Sequence, residues 1–126
     1  MTKQRQLIID ILRHSRQHPT AMQILEAARE TMPSIALGTV YRNLGLLVDD
    51  GLVVRLSATG MPDRYDLPDD EHWHVICDKC GFVKDIPVAG RVIDEIERQA
   101  DEEITSYLLT AHCICKHCRQ VDNNTD

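Results

Sequence analysis

Two short segments of the chain concentrate the groups that can bind metal ions. One runs over residues 72–81 and carries Cys77-x-x-Cys80, and the other, Cys115-x-x-Cys118, lies near the end of the chain. Two such pairs supply four thiolates, which is the ligand set of a closed, tetrahedral structural zinc site. The spacing therefore predicts one structural Zn(II) ion. Its ligands are Cys77, Cys80, Cys115 and Cys118.

A redox role or a disulfide framework is the alternative for these cysteines. Disulfide frameworks are typical of secreted proteins, whereas this N-terminal sequence shows no signal peptide and leads directly into a helical pattern. The cysteines also form two tight clusters. We therefore favour zinc and expect a cytoplasmic protein that binds no membrane, because no apolar run approaches the length that spans one.

The first segment also carries two histidines that the zinc site does not need. His72 and His74 are two residues apart, so on a β-strand both side chains lie on one face while Trp73 lies on the other. This arrangement leaves the histidines free to bind a second, separate metal. By itself, the pattern also fits two ordinary histidines of a strand.

The net charge of −6 argues against a nucleic-acid partner until the chain is divided. Residues 1–67 carry eight basic and seven acidic side chains, whereas residues 68–126 carry six and thirteen. The acidic excess therefore belongs to the second part, and a basic face on the first part is compatible with the composition. A chain of 126 residues forms one domain or two small lobes, and we place the boundary between residues 67 and 68.

The first lobe shows the pattern of three helices followed by a hairpin. The predicted helices cover residues 3–15, 20–33 and 37–49, and the predicted strands cover 52–57 and 64–67. Thr20 and Ser34 are the expected N-caps of the second and third helices, and Gly51 is the expected stop of the third. The inward residues expected of the second helix are Met22, Ile24, Leu25, Ala28 and Met32.

This order of elements predicts a winged helix-turn-helix, in which the third helix enters the major groove of DNA. An ordinary helical lobe with a solvated polar face is the alternative. If the lobe binds DNA, exposed side chains of the third helix contact bases and phosphates, and arginines of the hairpin hold phosphate. The candidates are Thr39, Tyr41, Arg42, Asn43, Arg55 and Arg64.

The second lobe, residues 68–126, shows a small α/β pattern around the cysteines. Its predicted elements are a polar hinge at 68–71, strands at 75–77, 82–86 and 104–111, and a helix at 91–100. We expect Val92, Ile93 and Ile96 to be buried, and the tail after Arg119 to be disordered. So small a lobe with an open sheet edge is a candidate for dimerisation. The whole chain is therefore expected to be α+β, with a dimerisation lobe stapled by zinc.

The order of these motifs resembles the ferric uptake regulator family. The resemblance rests on a winged helix, then His-x-His-x-x-Cys-x-x-Cys-Gly, then a C-terminal Cys-x-x-Cys, with the segment at 39–44 similar to the family's recognition helix. The given chain starts at what is usually the second helix of longer family members. The resemblance implies a dimeric, metal-dependent repressor that binds operator DNA and is not an enzyme. A small zinc hydrolase using His72, His74 and Asp66 is the alternative from another class.

The resemblance also implies a second, regulatory metal site. Three histidines and two aspartates match its ligands position by position: His18, Asp66, His72, His74 and Asp85. A mixed nitrogen and oxygen set of this kind suits Fe(II), Mn(II) or Zn(II). Because His18 belongs to the first lobe and the other ligands lie at the hinge or beyond it, the metal is expected to tie the lobes together.

The two aspartates resemble the peroxide-sensing members of the family, since iron-uptake members usually carry glutamate there. This likeness implies that Fe(II) catalyses oxidation of His18 or His72 by peroxide, while Mn(II) holds the same shape without reacting. A repressor of iron, zinc or manganese homeostasis without peroxide sensing is the alternative. Cys113 is an additional thiol, which we interpret as a core residue, although an alternative ligand or an oxidisable site also fits.

Overall fold

The structure, a computed structural model, describes residues 1–15, 18–68 and 71–123. Its elements, in chain order, are α1 (Lys3–His14), α2 (Ala21–Ala28), α3 (Leu37–Asp49), β1 (Val54–Leu56), β2 (Arg64–Asp66), β3 (His72–Cys77), β4 (Val83–Pro87), α4 (Gly90–Ala100), β5 (Thr110–Cys113) and α5 (Lys116–Asn123). The predicted α+β class is confirmed. None of the helices in these ranges is long and apolar enough to cross a membrane.

The first three helices and the β1–β2 hairpin share one hydrophobic core. Each helix buries a stripe at helical spacing, and the antiparallel hairpin, in which Val54 lies opposite Asp66, adds Tyr65 to it. The fully buried side chains of this core include Ile8, Ile24, Val40, Leu44 and Leu47. These elements form the predicted winged helix. We call the β1–β2 hairpin the wing.

Helix α2 begins as predicted but is shorter. Thr20 caps it, because the Thr20 hydroxyl accepts from the Gln23 amide while the Gln23 side chain accepts from the Thr20 amide. The helix ends at Ala28, before Pro33. The predicted burial of Met22 is wrong, since its side chain is 49% exposed. The inward stripe starts at Ala21, which turns Met22 to the flank of the helix.

Helix α3 has the predicted bounds, but a different residue precedes it. Ala36 occupies the N-cap position without a side-chain hydrogen bond, so the predicted capping by Ser34 is wrong. The predicted stop at Gly51 is confirmed. Gly51 has φ +75°, and the amides of Gly51 and Leu52 donate to the carbonyls of Val48 and Leu47. This closure satisfies the last carbonyls of the helix.

The remaining strands form one sheet of order β4-β3-β5. Strand β3 is antiparallel to β4 and parallel to β5, with α4 in the connection between the two outer strands. The predicted strand at 104–111 is wrong for residues 104–109, because β5 covers only Thr110–Cys113. The predicted disorder after Arg119 is wrong as far as residue 123, because α5 continues from the second cysteine pair. Residues 69, 70 and 124–126, on which parts of the predicted hinge and tail fall, lie outside the described residues.

Helix α4 exposes the apolar side chains that were expected to be buried. Val92 is 41% exposed and Ile96 46% exposed, and Ile93 is half-buried. The prediction of a buried face is therefore wrong for a single chain. The strong amphipathic pattern is real, but within the described residues no layer covers this face. The division between residues 67 and 68 stays a prediction.

Candidate metal centres and nucleic-acid surface

The four paired cysteines converge at the end of the three-stranded sheet. Their sulfur atoms all lie within 4.8 Å of one another. The Sγ atoms of Cys77 and Cys118 are 3.7 Å apart, and those of Cys80 and Cys115 are 3.9 Å apart. Tetrahedral zinc with Zn–S bonds of about 2.3 Å places its sulfurs about 3.8 Å apart. The cluster therefore fits structural Zn(II) in both ligand type and size.

The local backbone explains how the first pair is presented. Cys77 ends β3, and Gly81, with φ +76°, turns the chain back so that the Cys77 amide donates to the Phe82 carbonyl. The amide of Gly81 in turn donates to the carbonyl of Cys77. Only glycine adopts such a backbone readily. The second pair reaches the same point because β5 runs parallel to β3 and places Cys113 in register with Cys77.

The electrostatics of the four thiols favour a bound cation. The amide of Cys115 donates to the Cys77 sulfur at 3.4 Å, and this bond is the main reason that the pKa of Cys77 falls to about 6. The Cys115 thiol, followed by burial, raises the pKa of Cys118 to about 12. One thiolate is thus readily formed, whereas four close together require a cation such as Zn(II).

Cys113 stands apart from this set. Its side chain is half-buried, and it is absent from the group of four sulfurs. Burial, together with the charges of Cys77 and Cys115, raises the pKa of Cys113. A thiol in such surroundings resists forming a thiolate, so it fits the interpretation as a packing residue better than a reactive one.

A second group of ligands gathers where the first lobe meets the sheet. One ligand atom each of His18, His74 and Asp85 lie within 4.8 Å of one another. The Nε2 atom of His18 is 3.0 Å from Asp85 Oδ1, and that of His74 is 3.4 Å from the same oxygen. Asp66 Oδ2 joins the group at 3.3 Å from His18 and 3.1 Å from His74.

Each member of this group comes from a different element. His18 lies in the segment between α1 and α2, and Asp66 ends β2. His74 lies on β3, where it is 5% exposed and pairs directly with Asp85 of β4. The two histidine rings meet edge to face with centroids 5.2 Å apart. Tertiary structure alone brings these four side chains together.

Histidines and carboxylates compensate one another in this group. Hydrogen bonding to Asp66 is the main cause that raises the pKa of His18, against the opposing effect of burial. Burial by itself would raise the pKa of Asp66, but hydrogen bonds from His18 and His74 outweigh it and hold that pKa far below its ordinary value. A proton on His18 thus occupies a place between carboxylates that a cation can take. The nitrogen and oxygen ligands suit Fe(II) or Mn(II).

His72 is the predicted ligand that the structure does not bring into this group. It lies opposite Pro87 on the strand pair, one pleat repeat before His74. Its role as a ligand stays a prediction.

Three of the four α3 residues that were predicted to contact DNA are at least partly exposed. Tyr41 is 50% exposed, Arg42 is exposed, and Thr39 is half-buried. The predicted exposure of Asn43 is wrong, because this side chain is only 4% exposed. Position 43 adjoins the inward stripe of α3.

The amide of Asn43 has a structural use instead. Its Nδ2 donates to the Thr39 carbonyl at 2.8 Å and to Gln4 at 3.4 Å, and its Oδ1 accepts from Arg5 at 3.4 Å. These bonds connect α1 to α3. Hence Asn43 fits a role in packing the recognition helix rather than in reading bases.

The two wing arginines differ in where they point. The Arg55 side chain is 42% exposed and lies 3.7 Å from Asp63, so it remains on the surface. Arg64 is half-buried and donates from Nη1 to the backbone carbonyl of His18 at 3.0 Å. Sequence reasoning missed this contact, since no local pattern signals a bond between residues 46 positions apart.

Comparison with known proteins shows which family this chain resembles in sequence. A model of the ferric uptake regulator family matches residues 1–111. The peroxide-responsive repressor PerR of Staphylococcus epidermidis is 34% identical over 127 residues, which cover 98% of this chain and 83% of that protein.

Solved structures show the same likeness. The Campylobacter jejuni peroxide stress regulator superposes with a TM-score of 0.73 and 30% identity, over 91% of this chain and 88% of that one. The ferric uptake regulator of Pseudomonas aeruginosa with manganese gives a TM-score of 0.73 at 27% identity, over 92% and 90% of the two chains.

Proposed function

Since the chain belongs to the ferric uptake regulator family, whose members are metal-responsive transcriptional regulators and not enzymes, we propose that it represses transcription as an operator-bound dimer and senses peroxide. The site at 77–118 fits structural Zn(II), and the histidine–aspartate group fits regulatory Fe(II) or Mn(II). We also place the protein in the cytoplasm, where such regulators act.

One observation carries the proposal. His18 of the winged helix lies 3.0 Å from Asp85 of the sheet, although 67 positions separate them in sequence. A cation shared by these side chains ties the winged helix to the sheet. In a dimer this tie sets the distance between two recognition helices, which must match the spacing of DNA half-sites. Metal favours the DNA-competent arrangement to the extent that it binds that arrangement more tightly.

The surface of the second lobe supports a dimer. Helix α4 carries an apolar stripe that a single chain leaves open, and Phe82, Leu108 and Ile96 are 57%, 68% and 46% exposed. Apolar surface of this kind marks an interface. We propose that a second copy of the chain covers it.

The DNA contacts follow from exposure on α3 and the wing. Arg42 and Tyr41, which are both exposed, are the proposed contacts to base edges and phosphate, together with Thr39. Arg55 on the wing supplies a phosphate contact. We do not extend the proposal to Asn43, because its amide is already bonded within the lobe.

Peroxide sensing is supported by the chemistry of the group and by the relatives. Aspartate occupies both carboxylate positions, 66 and 85, and the Staphylococcus epidermidis relative is a peroxide-responsive repressor. When bound, Fe(II) supplies the redox chemistry that turns peroxide into an oxidant of an adjacent histidine, whereas Mn(II) supplies only the bridge. His18 and His72 are the proposed targets. A repressor responding to metal alone is the second candidate, favoured by the likeness to the Pseudomonas aeruginosa regulator.

Mass spectrometry separates these candidates. The Fe(II)-loaded and Mn(II)-loaded proteins are treated with dilute peroxide, and peptide masses are compared before and after. We expect one added oxygen on His18 or His72 in the iron form only. Unmodified histidines in the iron form would favour the second candidate, and oxidation confined to cysteines would indicate a thiol switch.

A further inference from the structure

The backbone at His18 is held in an unfavourable conformation. His18 has φ +50°, a left-handed value, and Pro19 follows it. Residues other than glycine rarely adopt this backbone region, and a residue before proline strongly prefers an extended backbone instead. The conformation is therefore not a local preference. Contacts from elsewhere in the fold must hold it.

Those contacts come from β2. The Arg64 guanidinium donates from Nη1 to the His18 carbonyl at 3.0 Å, and the Tyr65 amide donates to the Pro19 carbonyl at 2.9 Å. Thr20 forms an antiparallel bridge with Arg64. Tyr65 is only 2% exposed, so the strand that makes these bonds is anchored in the core. The segment that carries the His18 ring is thus clamped to the wing.

We propose that Arg64 is a positioning residue of the regulatory metal site, whose guanidinium holds the His18 backbone so that the imidazole reaches Asp66 and Asp85. This inference rests on the proposed metal site. It replaces the predicted phosphate contact of Arg64 with an internal one. A charged donor makes a stronger hydrogen bond to a carbonyl than a neutral one, and partial burial limits screening by solvent.

The position of Arg64 gives the contact a further consequence. Asp66, on the same three-residue strand, contacts the ring of His18, while Arg64 contacts its carbonyl. One strand therefore sets the relative positions of two ligands. The same strand is half of the wing, so a displacement of His18 is transmitted to the part of the lobe that carries Arg55.

The first test measures the Mn(II) affinity of the zinc-loaded protein in the absence of DNA. We expect Arg64→Met to weaken binding about 10–100-fold, the range found when a residue supporting a metal ligand is removed. Arg64→Lys should recover part of the loss, because its ammonium retains a charged donor. Arg55→Met is the matched control on the neighbouring strand, and it should bind Mn(II) as the wild type does.

The second readout needs no metal. Three-bond couplings and carbon shifts of labelled, Mn-free protein report the φ angle of His18, and Arg64→Met should lose the left-handed signature while Arg55→Met keeps it. The inference would be overturned if Arg64→Met kept the wild-type shifts of His18 and the wild-type Mn(II) affinity. A weaker salt dependence of DNA binding in that variant would then indicate that Arg64 contacts phosphate instead. Zinc content checks folding, and should Arg64→Met misfold, the same two readouts in Arg64→Gln decide, because this substitution also removes the guanidinium.

The two readouts also separate this inference from the proposed function. If the wild type itself fails to bind Mn(II) at this group, the proposed regulatory site is wrong. The His18 signature in the metal-free variants still decides whether Arg64 positions that residue.

Discussion

At the scale of single residues, the histidine–aspartate group holds a proton between carboxylates, in a place that a metal ion can take. His18 lies against two carboxylates, and its pKa is raised mainly by the hydrogen bond to Asp66. The same contacts lower the pKa of Asp66 against the effect of burial. In the absence of regulatory metal, the protonated histidine and the carboxylates therefore stabilise one another.

This pairing predicts how stability depends on pH. A raised pKa in the folded state means that the His18 contribution is fully present below its unfolded value of about 6.5. It is lost as the pH rises through the folded pKa. Conversely, Asp66 contributes above its unfolded pKa of about 3.9 and loses this contribution in more acidic solution.

Urea unfolding of the zinc-loaded protein without regulatory metal tests this prediction. The wild type should exceed His18→Ala in stability at pH 5 to 6, and the difference should shrink toward pH 8 (roughly the window set by the histidine pKa). His14→Ala, on the exposed end of α1, is the matched control. A difference that is constant or grows with pH would contradict the assigned direction.

Sequence reasoning succeeded at this scale where the ligand type itself carries the signal. Paired cysteines predicted a site that the structure assembles with matching sulfur distances. It failed for Asn43, since an amide's use depends on which face of the helix is buried. The left-handed backbone at His18 and its bond from Arg64 had no local signal at all.

At the scale of elements, the zinc cluster takes the place of a core in the second lobe. The two cysteine pairs join the end of β3 to the start of α5. Structural zinc contributes about 10–16 kcal/mol in small zinc peptides, which matches or exceeds the whole stability of a typical domain at about 5–15 kcal/mol. Loss of the metal should therefore unfold this lobe rather than merely weaken it.

Cys118→Ser tests this dependence. We expect the variant to lose bound zinc and the cooperative unfolding transition of the second lobe, measured by metal analysis and calorimetry. Cys113→Ser is the matched control, because its sulfur lies outside the group of four, and it should keep both. A folded, dimeric Cys118→Ser protein without zinc would show that packing alone supports the lobe.

Element boundaries were predictable where local signals end an element. The N-cap at Thr20 and the helix stop at Gly51 are such signals, and both were confirmed. Helix α5 was not predicted, because its sequence is strongly polar and the residues after Arg119 were taken for a disordered tail. The apolar run at 104–109 was taken for strand, but only Thr110–Cys113 pair with β3.

At the scale of the whole molecule, the open face of α4 predicts assembly. Ile96→Glu places a charge on the apolar stripe and should convert a dimer to a monomer, measured by analytical ultracentrifugation at micromolar concentration. Zinc content should not change, since α4 is not part of the cysteine cluster. Arg91→Glu, an exposed position off the stripe, is the control and should stay dimeric. A dimeric Ile96→Glu protein would place the interface elsewhere.

The predicted burial of the apolar face of α4 is wrong for a single chain, and the reason is physical. An amphipathic pattern states that a face will be covered, but not whether the same chain or another covers it. The resemblance to the family implied a dimer, and the structure shows an apolar face of α4 that a single chain leaves open.

The central claim is that metal held between the winged helix and the sheet controls DNA binding. Its most direct measurement is a Mn(II) titration of binding to a DNA fragment selected from a random pool by the Mn(II)-loaded protein, comparing wild type with His18→Ala. The account predicts that Mn(II) strengthens wild-type binding, whereas His18→Ala keeps its zinc and dimer but gains little, with Mn(II) affinity lowered at least about 10–100-fold. Full activation of His18→Ala by the same Mn(II) concentrations would contradict the account.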